Sequence, residues 1–283
     1  MSVYQNKPQS FFELVVHDLK RSPGLTGAFA GYESGEWRFE QMAEYLFEWL
    51  PEFALKYSDL EDINSGTARQ SLRKAAKIVY NTEKYSRRGE FGELLLHALI
   101  REVFNSQPAI SKLYYKSAIN DPVKGFDAVH VVENGDELEL WLGEVKFYKE
   151  VNAAIREIVI EINAHLNADY LRDEFILIAT KIDPKWKHSE KLRRLISERT
   201  SLDTVFKRVC IPVLLTYESP TIIKNNEISD VFYNALKKEV EVIHENFSKA
   251  GIPEIKIHLF LAPLGEKKKL IDALHEKLEG MQR

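Results

Sequence analysis

The sequence contains one cysteine, Cys210, among 283 residues. A single cysteine cannot form a disulfide within the chain, and it cannot supply the group of thiolates that a structural zinc site requires. Disulfide-stabilised secreted scaffolds and zinc-finger proteins are therefore excluded as interpretations. The composition favours a protein of the reducing cytoplasm.

Long uncharged hydrophobic runs are also missing from the sequence. No stretch approaches the roughly 20 apolar residues that a membrane-spanning helix needs, and residues 1–20 lack the pattern of a secretory signal. We therefore expect a cytoplasmic protein with no membrane association. The formal net charge of −4 indicates that any affinity for DNA must come from a local basic patch or from a partner.

Several common catalytic motifs are absent as well. The sequence contains no GxxxxGK[ST], GxGxxG, GxSxG or HExxH pattern. These patterns belong to nucleotide-hydrolysing motors, dinucleotide enzymes, serine esterases and zinc proteases, in that order. The chain therefore needs another chemistry if it is an enzyme.

Residues 1–84 are predicted to form a mostly helical N-terminal region. Apolar residues recur at helical spacing over residues 40–55 and again over 67–80. Pro51 is expected to bend or end the first of these helices, because proline cannot continue the backbone hydrogen-bond ladder.

Residues 85–283 are predicted to form an α/β domain with a mixed central sheet and helices on both faces, like the core of restriction endonucleases. Asn134-Gly135 is a strong hairpin signal, because both residues tolerate positive φ. The predicted order is helix 89–103, strands 113–117, 126–132 and 139–148, helix 151–166, a buried parallel strand 175–180, helix 185–199, strand 210–217, helix 228–249, strand 255–261 and helix 265–281.

Charged residues fall at unusual places in the two strands that flank this hairpin. Asp127 stands at the start of the first strand, and the hairpin can bring it beside Glu144. Glu144 and Lys146 are two residues apart, so their side chains share one face of the second strand. Unpaired charge in an apolar strand costs several kcal/mol. A structural ion pair or a functional site would explain these residues.

The functional interpretation is a metal-dependent phosphodiesterase. Two converging carboxylates, Asp127 and Glu144, form a hard oxygen site for Mg²⁺ or Mn²⁺, and the main-chain carbonyl of Val145 can add a ligand. Lys146 would orient the attacking water or stabilise the developing negative charge. Glu93, on the preceding helix, would ligate a second metal or a metal-bound water.

Three ordered segments, RRGEFGE, GFDAVHVV and LWLGEVKFY, carry a family resemblance. They resemble the PD-(D/E)XK nuclease superfamily, with Asp127 as the D and Glu144-Val145-Lys146 as the ExK. More narrowly, the chain resembles the nuclease (A) subunit of Hachiman anti-phage defence systems, whose C-terminal domain matches these segments and the FILIAT run that follows. The specific part of the resemblance covers roughly residues 85–180.

This resemblance implies a partner and a mode of action. The partner would be a superfamily 2 helicase that holds the nuclease inactive until damage or phage DNA is sensed, after which DNA is cut indiscriminately. Two other interpretations are a catalytically inactive regulatory subunit on a nuclease-like fold, and a repair or restriction nuclease outside phage defence. The first of these does not explain a complete D…ExK set.

Alternatives remain open around the predicted site. Glu90 lies three residues before Glu93 on nearly the same helix face and is a second candidate ligand. His97 lies one turn beyond Glu93 but is more simply a packing residue, and strand alternation places His130 on the face opposite Asp127. Arg156 and Glu157 occupy the region where some members carry a glutamine, and His165 and Asp169 form an ordinary pair at helical spacing.

Basic and aromatic residues that precede or flank the predicted site are candidates for a rim that binds phosphate groups, although surface lysines and arginines are usually only solvated. They are Arg87, Arg88, Lys112, Tyr114, Tyr115, Lys116 and Lys124.

Overall fold

Strands and helices alternate along most of the chain. The computed structural model describes residues 3–80, 89–111 and 125–282. The strands are β1 (Glu13–Asp18), β2 (Gly24–Phe29), β3 (Tyr32–Glu33), β4 (Glu36–Trp37), β5 (Gln107–Ser111), β6 (Ala128–Asn134), β7 (Glu137–Phe147), β8 (Val209–Glu218) and β9 (Lys256–Leu264). The helices are α1 (Phe39–Glu48), α2 (Leu50–Ala54), α3 (Tyr57–Glu61), α4 (Ala68–Tyr80), α5 (Gly89–Phe104), α6 (Val151–His165), α7 (Ala168–Lys181), α8 (Ser189–Leu195), α9 (Leu202–Phe206), α10 (Pro220–Lys224), α11 (Asp230–Ser248) and α12 (Lys267–Gln282).

A seven-stranded mixed sheet forms the centre of the fold, in the order β1-β2-β9-β8-β7-β6-β5. Strands β2, β9, β8 and β7 run parallel to one another. Strand β1 is antiparallel to β2, β6 is antiparallel to β7, and β5 is antiparallel to β6. Nearly every residue of β8 and β9 is buried, as expected for parallel strands covered on both faces. The predicted mixed sheet is confirmed.

Two hydrophobic clusters cover the two faces of this sheet. One cluster contains buried residues of α1, α2, α4, α5 and α12. The other contains buried residues of α6, α7, α8 and α9 and of the C-terminal half of α11. Helix α5 is buried from Phe91 to Arg101 without a break, which explains why its sequence is apolar around most of its circumference. The predicted α/β arrangement with helices on both faces is therefore confirmed.

Most of the predicted helices occur near their expected positions. The region predicted at 40–55 contains two helices, α1 and α2, and Pro51 lies in the first turn of α2. Proline fits there because the first turn needs no intrahelical N–H donor. Helices α4, α5, α6, α11 and α12 match the predicted segments closely. The helix predicted at 185–199 is shorter in the structure, where α8 runs only from Ser189 to Leu195.

The strand predicted at 175–180 is wrong, because this run lies inside helix α7. Asn167 caps the helix by accepting a 3.0 Å hydrogen bond from the Asp169 N–H. Leu171, Phe175 and Ile178 then point inward at helical spacing. A short apolar run is compatible with a buried strand or with a helix. Here the run continues a helix that begins at Ala168 and is capped by Asn167.

The N-terminal region contains strands that the sequence analysis did not predict. Strands β1 and β2 belong to the central sheet, and β2 pairs in parallel with β9. All six residues of β2 are buried, but Gly24 and Gly27 weaken the apolar pattern. The helical part of the region begins only at Phe39.

Some predictions fall outside the described residues. They are the strand at 113–117, the boundary between residues 84 and 85, and the basic and aromatic rim formed by residues 87, 88, 112, 114–116 and 124. Among the helices of the described ranges, none is long and apolar enough to cross a membrane.

A buried polar network links α2, α5 and β6. Ser106 Oγ lies 2.9 Å from His130 Nδ1, and His130 Nε2 lies 3.2 Å from His97 Nδ1. His97 Nε2 in turn lies 3.2 Å from Glu52 Oε1, which also accepts a 2.5 Å hydrogen bond from Arg101. The two imidazoles are each 1% exposed, so they form part of the packed interior.

Acidification is expected to destabilise the fold. Burial lowers the pKa of His97, lowers that of His130 well below its ordinary value, and lowers that of His258 to about 3. Because unfolding returns each imidazole to a pKa near 6.5, the unfolded chain binds more protons below that pH. The stability is therefore complete above pH 6.5 and is lost as the pH falls, by up to about 1.4 kcal/mol per pH unit for each histidine.

Thermal unfolding followed by circular dichroism between about pH 7.5 and about pH 5 tests this expectation. The unfolding temperature should fall steadily below pH 6.5. His258→Gln should make this fall less steep, because about one proton fewer is then taken up on unfolding. An unfolding temperature that stays constant over this range would contradict the neutral state of these histidines.

Candidate active site

The β6–β7 hairpin places Asp127 beside the middle of β7. Ala128 pairs with Gly143 in the antiparallel register, so the preceding residue, Asp127, lies opposite Glu144. The Asp127 N–H donates a 2.7 Å hydrogen bond to the carbonyl of Gly143, and the Val145 N–H donates a 2.8 Å hydrogen bond to Asp127 Oδ2. Asp127 is only 8% exposed. The predicted proximity of the two carboxylates follows from this register.

Glu144 points from β7 toward helix α6. Its Oε1 lies 2.5 Å from Nδ1 of His165, the last residue of that helix. Glu144 is 1% exposed, so this polar contact offsets part of the cost of burying a carboxylate. The predicted alternation along β7 is also observed, because Val145 and Phe147 contact Gly92 of α5 on the opposite face.

Lys146 forms an ion pair with Glu161 of the same helix α6. Burial lowers the pKa of Lys146, but the hydrogen bond and charge of Glu161, with the charges of Asp127 and Glu144, outweigh it and raise this pKa above its ordinary value. Lys146 is therefore a cation at neutral pH. It lies within the electrostatic reach of both predicted metal-binding carboxylates.

Glu93 lies on α5, at the same end of the sheet but on the other face of β7. A Cβ atom on the preceding residue, Gly92, would lie 2.7 Å from a methyl group of Val145. Glycine thus permits the close approach of α5 to β7. Glu93 is 8% exposed, whereas Glu90 is half-buried in the first turn of the helix. The choice between these two glutamates as ligands stays a prediction.

The other candidates have distinct surroundings. His97 and His130 contact each other in the buried network described above, and His130 lies on the face opposite Asp127, as alternation predicts. Arg156 is exposed on α6. Glu157, also exposed, accepts a 2.5 Å hydrogen bond from the hydroxyl of Tyr148.

The sequence analysis did not identify the residues of α6 and α7 that surround the carboxylates. His165 and Asp169 are not a pair within one helix, because α6 ends at His165 and α7 begins at Ala168. Glu161, Tyr170 and Glu174 were not named, and the contact of His165 with Glu144 was not predicted. The sequence did contain a signal for these contacts. Glu161 and His165 are four residues apart and share one face of α6, just as Lys146 and Glu144 are two residues apart and share one face of β7.

Glu174 contributes a further carboxylate near the start of β6. It is 3% exposed, and a Cβ atom added to Gly125 would lie 2.6 Å from its Oε1. Gly125 also has a φ of 151°, within the range that favours glycine. Both features exclude a larger side chain two residues before Asp127.

The chemistry of the donors fits a hard divalent cation. Asp127 and Glu144 offer carboxylate oxygens, and Val145 offers a main-chain carbonyl on the same strand segment. Within the described ranges, no three or more His, Cys, Asp or Glu side chains are arranged so that they could already hold a metal ion. The predicted shared metal set of Glu93, Asp127 and Glu144 is therefore not preformed, and it stays a prediction.

Comparison with known proteins shows the family of this sequence. The chain is 24% identical over 261 residues to Anti-bacteriophage protein A of Escherichia coli (strain K12). The aligned part covers 87% of this chain and 46% of the E. coli protein, so the chain spans slightly less than half the length of that relative. The model of the HamA family matches residues 9–278. Because this match extends over nearly the whole sequence, the chain belongs to the HamA family.

Proposed function

We propose that this protein is a Mg²⁺- or Mn²⁺-dependent DNA endonuclease that acts in anti-phage defence. The observation that carries the proposal is the meeting of Asp127, Glu144 and Lys146 at one end of the β6–β7 hairpin. Asp127 is held to the backbone of β7 by a hydrogen bond from the Val145 N–H. Burial lowers the pKa of Lys146, but the hydrogen bond and charge of Glu161, with the charges of Asp127 and Glu144, raise it overall. This arrangement supports the D…ExK interpretation of the sequence.

The carboxylates would hold the metal ion. Asp127 and Glu144 would bind it together with the carbonyl of Val145, and Glu93 would complete the set from α5. When bound, the ion supplies a Lewis acid that acidifies water and offsets negative charge on the phosphate. Burial of Glu144, which is 1% exposed, keeps bulk water away and strengthens these electrostatic contacts.

Lys146 would act on the phosphodiester itself. Its ammonium group is a compact cation with three movable donors, and its raised pKa keeps it protonated at neutral pH. It would donate a hydrogen bond to the attacking water or to a phosphate oxygen as negative charge develops. Release from Glu161 by side-chain rotation would free a donor for this contact.

The defence role rests on the family and on the name of the E. coli relative, Anti-bacteriophage protein A. The resemblance noted in the sequence adds a superfamily 2 helicase as the partner that would hold the nuclease inactive. A net charge of −4 is consistent with weak affinity of the isolated subunit for DNA. Delivery or release by such a partner would then control when DNA is cut.

A plasmid cleavage assay tests the proposed activity. Supercoiled DNA is incubated with the protein and Mg²⁺ or Mn²⁺, with and without EDTA, before and after mixing with a superfamily 2 helicase, the class of partner that the resemblance implies. Glu144→Ala should reduce cleavage by about 10²-fold or more, because the metal supplies several kcal/mol to the reaction. Glu137→Ala is the matched control, since Glu137 lies 58% exposed at the far end of β7.

Wild-type protein that stays inert with either metal, both alone and after the helicase is triggered, would refute the nuclease proposal. Equal nicking by wild type and Glu144→Ala would assign the activity to a contaminant. The mass of the mixed complex, measured by light scattering, tests the partner separately, because a defence subunit should bind the helicase stably.

A further inference from the structure

We propose that His165 is a positioning residue that fixes the carboxylate of Glu144 for metal binding. This inference rests on the proposed function, since it names the residue that orients one of the proposed ligands. Neither the D…ExK pattern nor the family match assigns a role to His165. It contributes through Glu144 and has no proposed contact with DNA.

The contact between the two side chains is short and largely shielded from water. His165 Nδ1 lies 2.5 Å from Glu144 Oε1, and the side chains are 13% and 1% exposed. An ionised carboxylate has only acceptor atoms, so the imidazole that contacts it through Nδ1 is assigned as the donor. Hydrogen bonds to an ionised carboxylate are stronger than neutral ones, so this bond constrains rotation about the last torsion of Glu144.

Two aromatic rings hold the imidazole in place. Tyr170 stacks on His165, with ring centroids 4.5 Å apart and an interplanar angle of 7°. Phe126 meets the imidazole edge-on, at 5.3 Å and 70°. Phe126 directly precedes Asp127 in the chain, so the residue that orients Glu144 packs against the segment that carries the other proposed ligand.

The contact of His165 with Glu144 has the same role as the hydrogen bonds that orient the ligands of known metal sites. Groups that bind a metal are held in orientation by hydrogen bonds from residues behind them, and loss of such a bond typically weakens metal affinity by about 10–100-fold. A donor on Oε1 reduces the number of orientations open to Glu144. The entropy lost when the carboxylate closes on the ion is then smaller.

The experiment compares the metal affinity of wild type with that of three histidine variants and of Glu144→Ala, all made in the intact chain. Binding of Mn²⁺ is measured by electron paramagnetic resonance titration, which needs no DNA cleavage. His165→Phe keeps an aromatic ring against Tyr170 but removes the donor, whereas His165→Asn keeps a donor near the Nδ1 position. The control is His188→Phe, because His188 pairs with Glu133 at 3.0 Å and packs edge-on against Trp186 at the other end of β6.

His165→Phe should bind Mn²⁺ about 10–100-fold more weakly than wild type, while His165→Asn and His188→Phe should stay within about 3-fold. All three variants should keep wild-type circular dichroism spectra. Wild-type affinity in His165→Phe would overturn the inference, and so would equal weakening in His165→Asn, because the donor would then not be the cause. If wild type and Glu144→Ala bind Mn²⁺ equally, the proposed function fails at its metal site, and the positioning role falls with it.

Discussion

Lys146→Ala is expected to reduce metal-dependent DNA cleavage by about 10²–10³-fold without unfolding the protein. Loss of one preorganised donor to developing negative charge typically costs about that factor. The fold should tolerate the change, because Glu161, the partner of Lys146, is 35% exposed and can be hydrated. Asp127 keeps its bond from Val145, and Glu144 keeps its contact with His165.

Single-turnover cleavage of supercoiled plasmid, with Mn²⁺ titration of the same samples, measures this effect. The affinity for Mn²⁺ should change little, since Lys146 is not a proposed ligand. Lys256→Ala is the control, because Lys256 is also a lysine paired with a glutamate, Glu139, but is 61% exposed. A Lys146→Ala protein that cleaves at the wild-type rate would remove this residue from the proposed chemistry.

Removal of either partner of the Glu52–Arg101 pair is expected to lower the free energy of unfolding by about 3–5 kcal/mol, because an uncompensated charge would remain buried. Arg101 is 0% exposed. Its guanidinium donates to both carboxylate oxygens of Glu52, at 2.5 and 3.2 Å, and to the Tyr4 carbonyl at 2.7 Å. A further bond joins it to the carbonyl of Ser106.

A double-mutant cycle with Glu52→Met, Arg101→Met and the combined variant measures this coupling by urea unfolding. The double variant should cost clearly less than the sum of the single variants, because neither charge then remains buried alone. The exposed pair Lys249–Glu245, at 76% and 66% exposure, should contribute at most about 1 kcal/mol. Additive effects at Glu52 and Arg101 would show that the two charges do not depend on each other.

The pair also connects the N-terminal helices to the site. Glu52 belongs to α2 and Arg101 to the C-terminal half of α5, whose N-terminal half carries Glu93. The same Glu52 carboxylate contacts His97. We therefore expect these variants to alter the packing of α5 before they alter the β6–β7 hairpin, which is held by its own ladder.

Local patterns in the sequence determined the hairpin and the residues on it. Alternation along a strand depends only on backbone geometry, so the shared face of Glu144 and Lys146 could be predicted without knowledge of the fold. The Asn134-Gly135 signal predicted the hairpin, but the turn itself is Gly135-Asp136, because Asn134 still pairs with Glu137. Gly135 has a φ of 59°. Together these features place Asp127 opposite Glu144.

Only the tertiary structure decided which partners these charges have and where the ambiguous segments lie. The contacts of α6 with β7, through Glu161 and His165, depend on how that helix packs across the sheet. The run at 175–180 became a helix because of its cap and its packing, and β2 entered the sheet by pairing with β9, more than 200 residues away. Local propensity is weak compared with the free energy of such burial, so the sequence alone predicts the candidate chemistry but not the side chains that hold it in place.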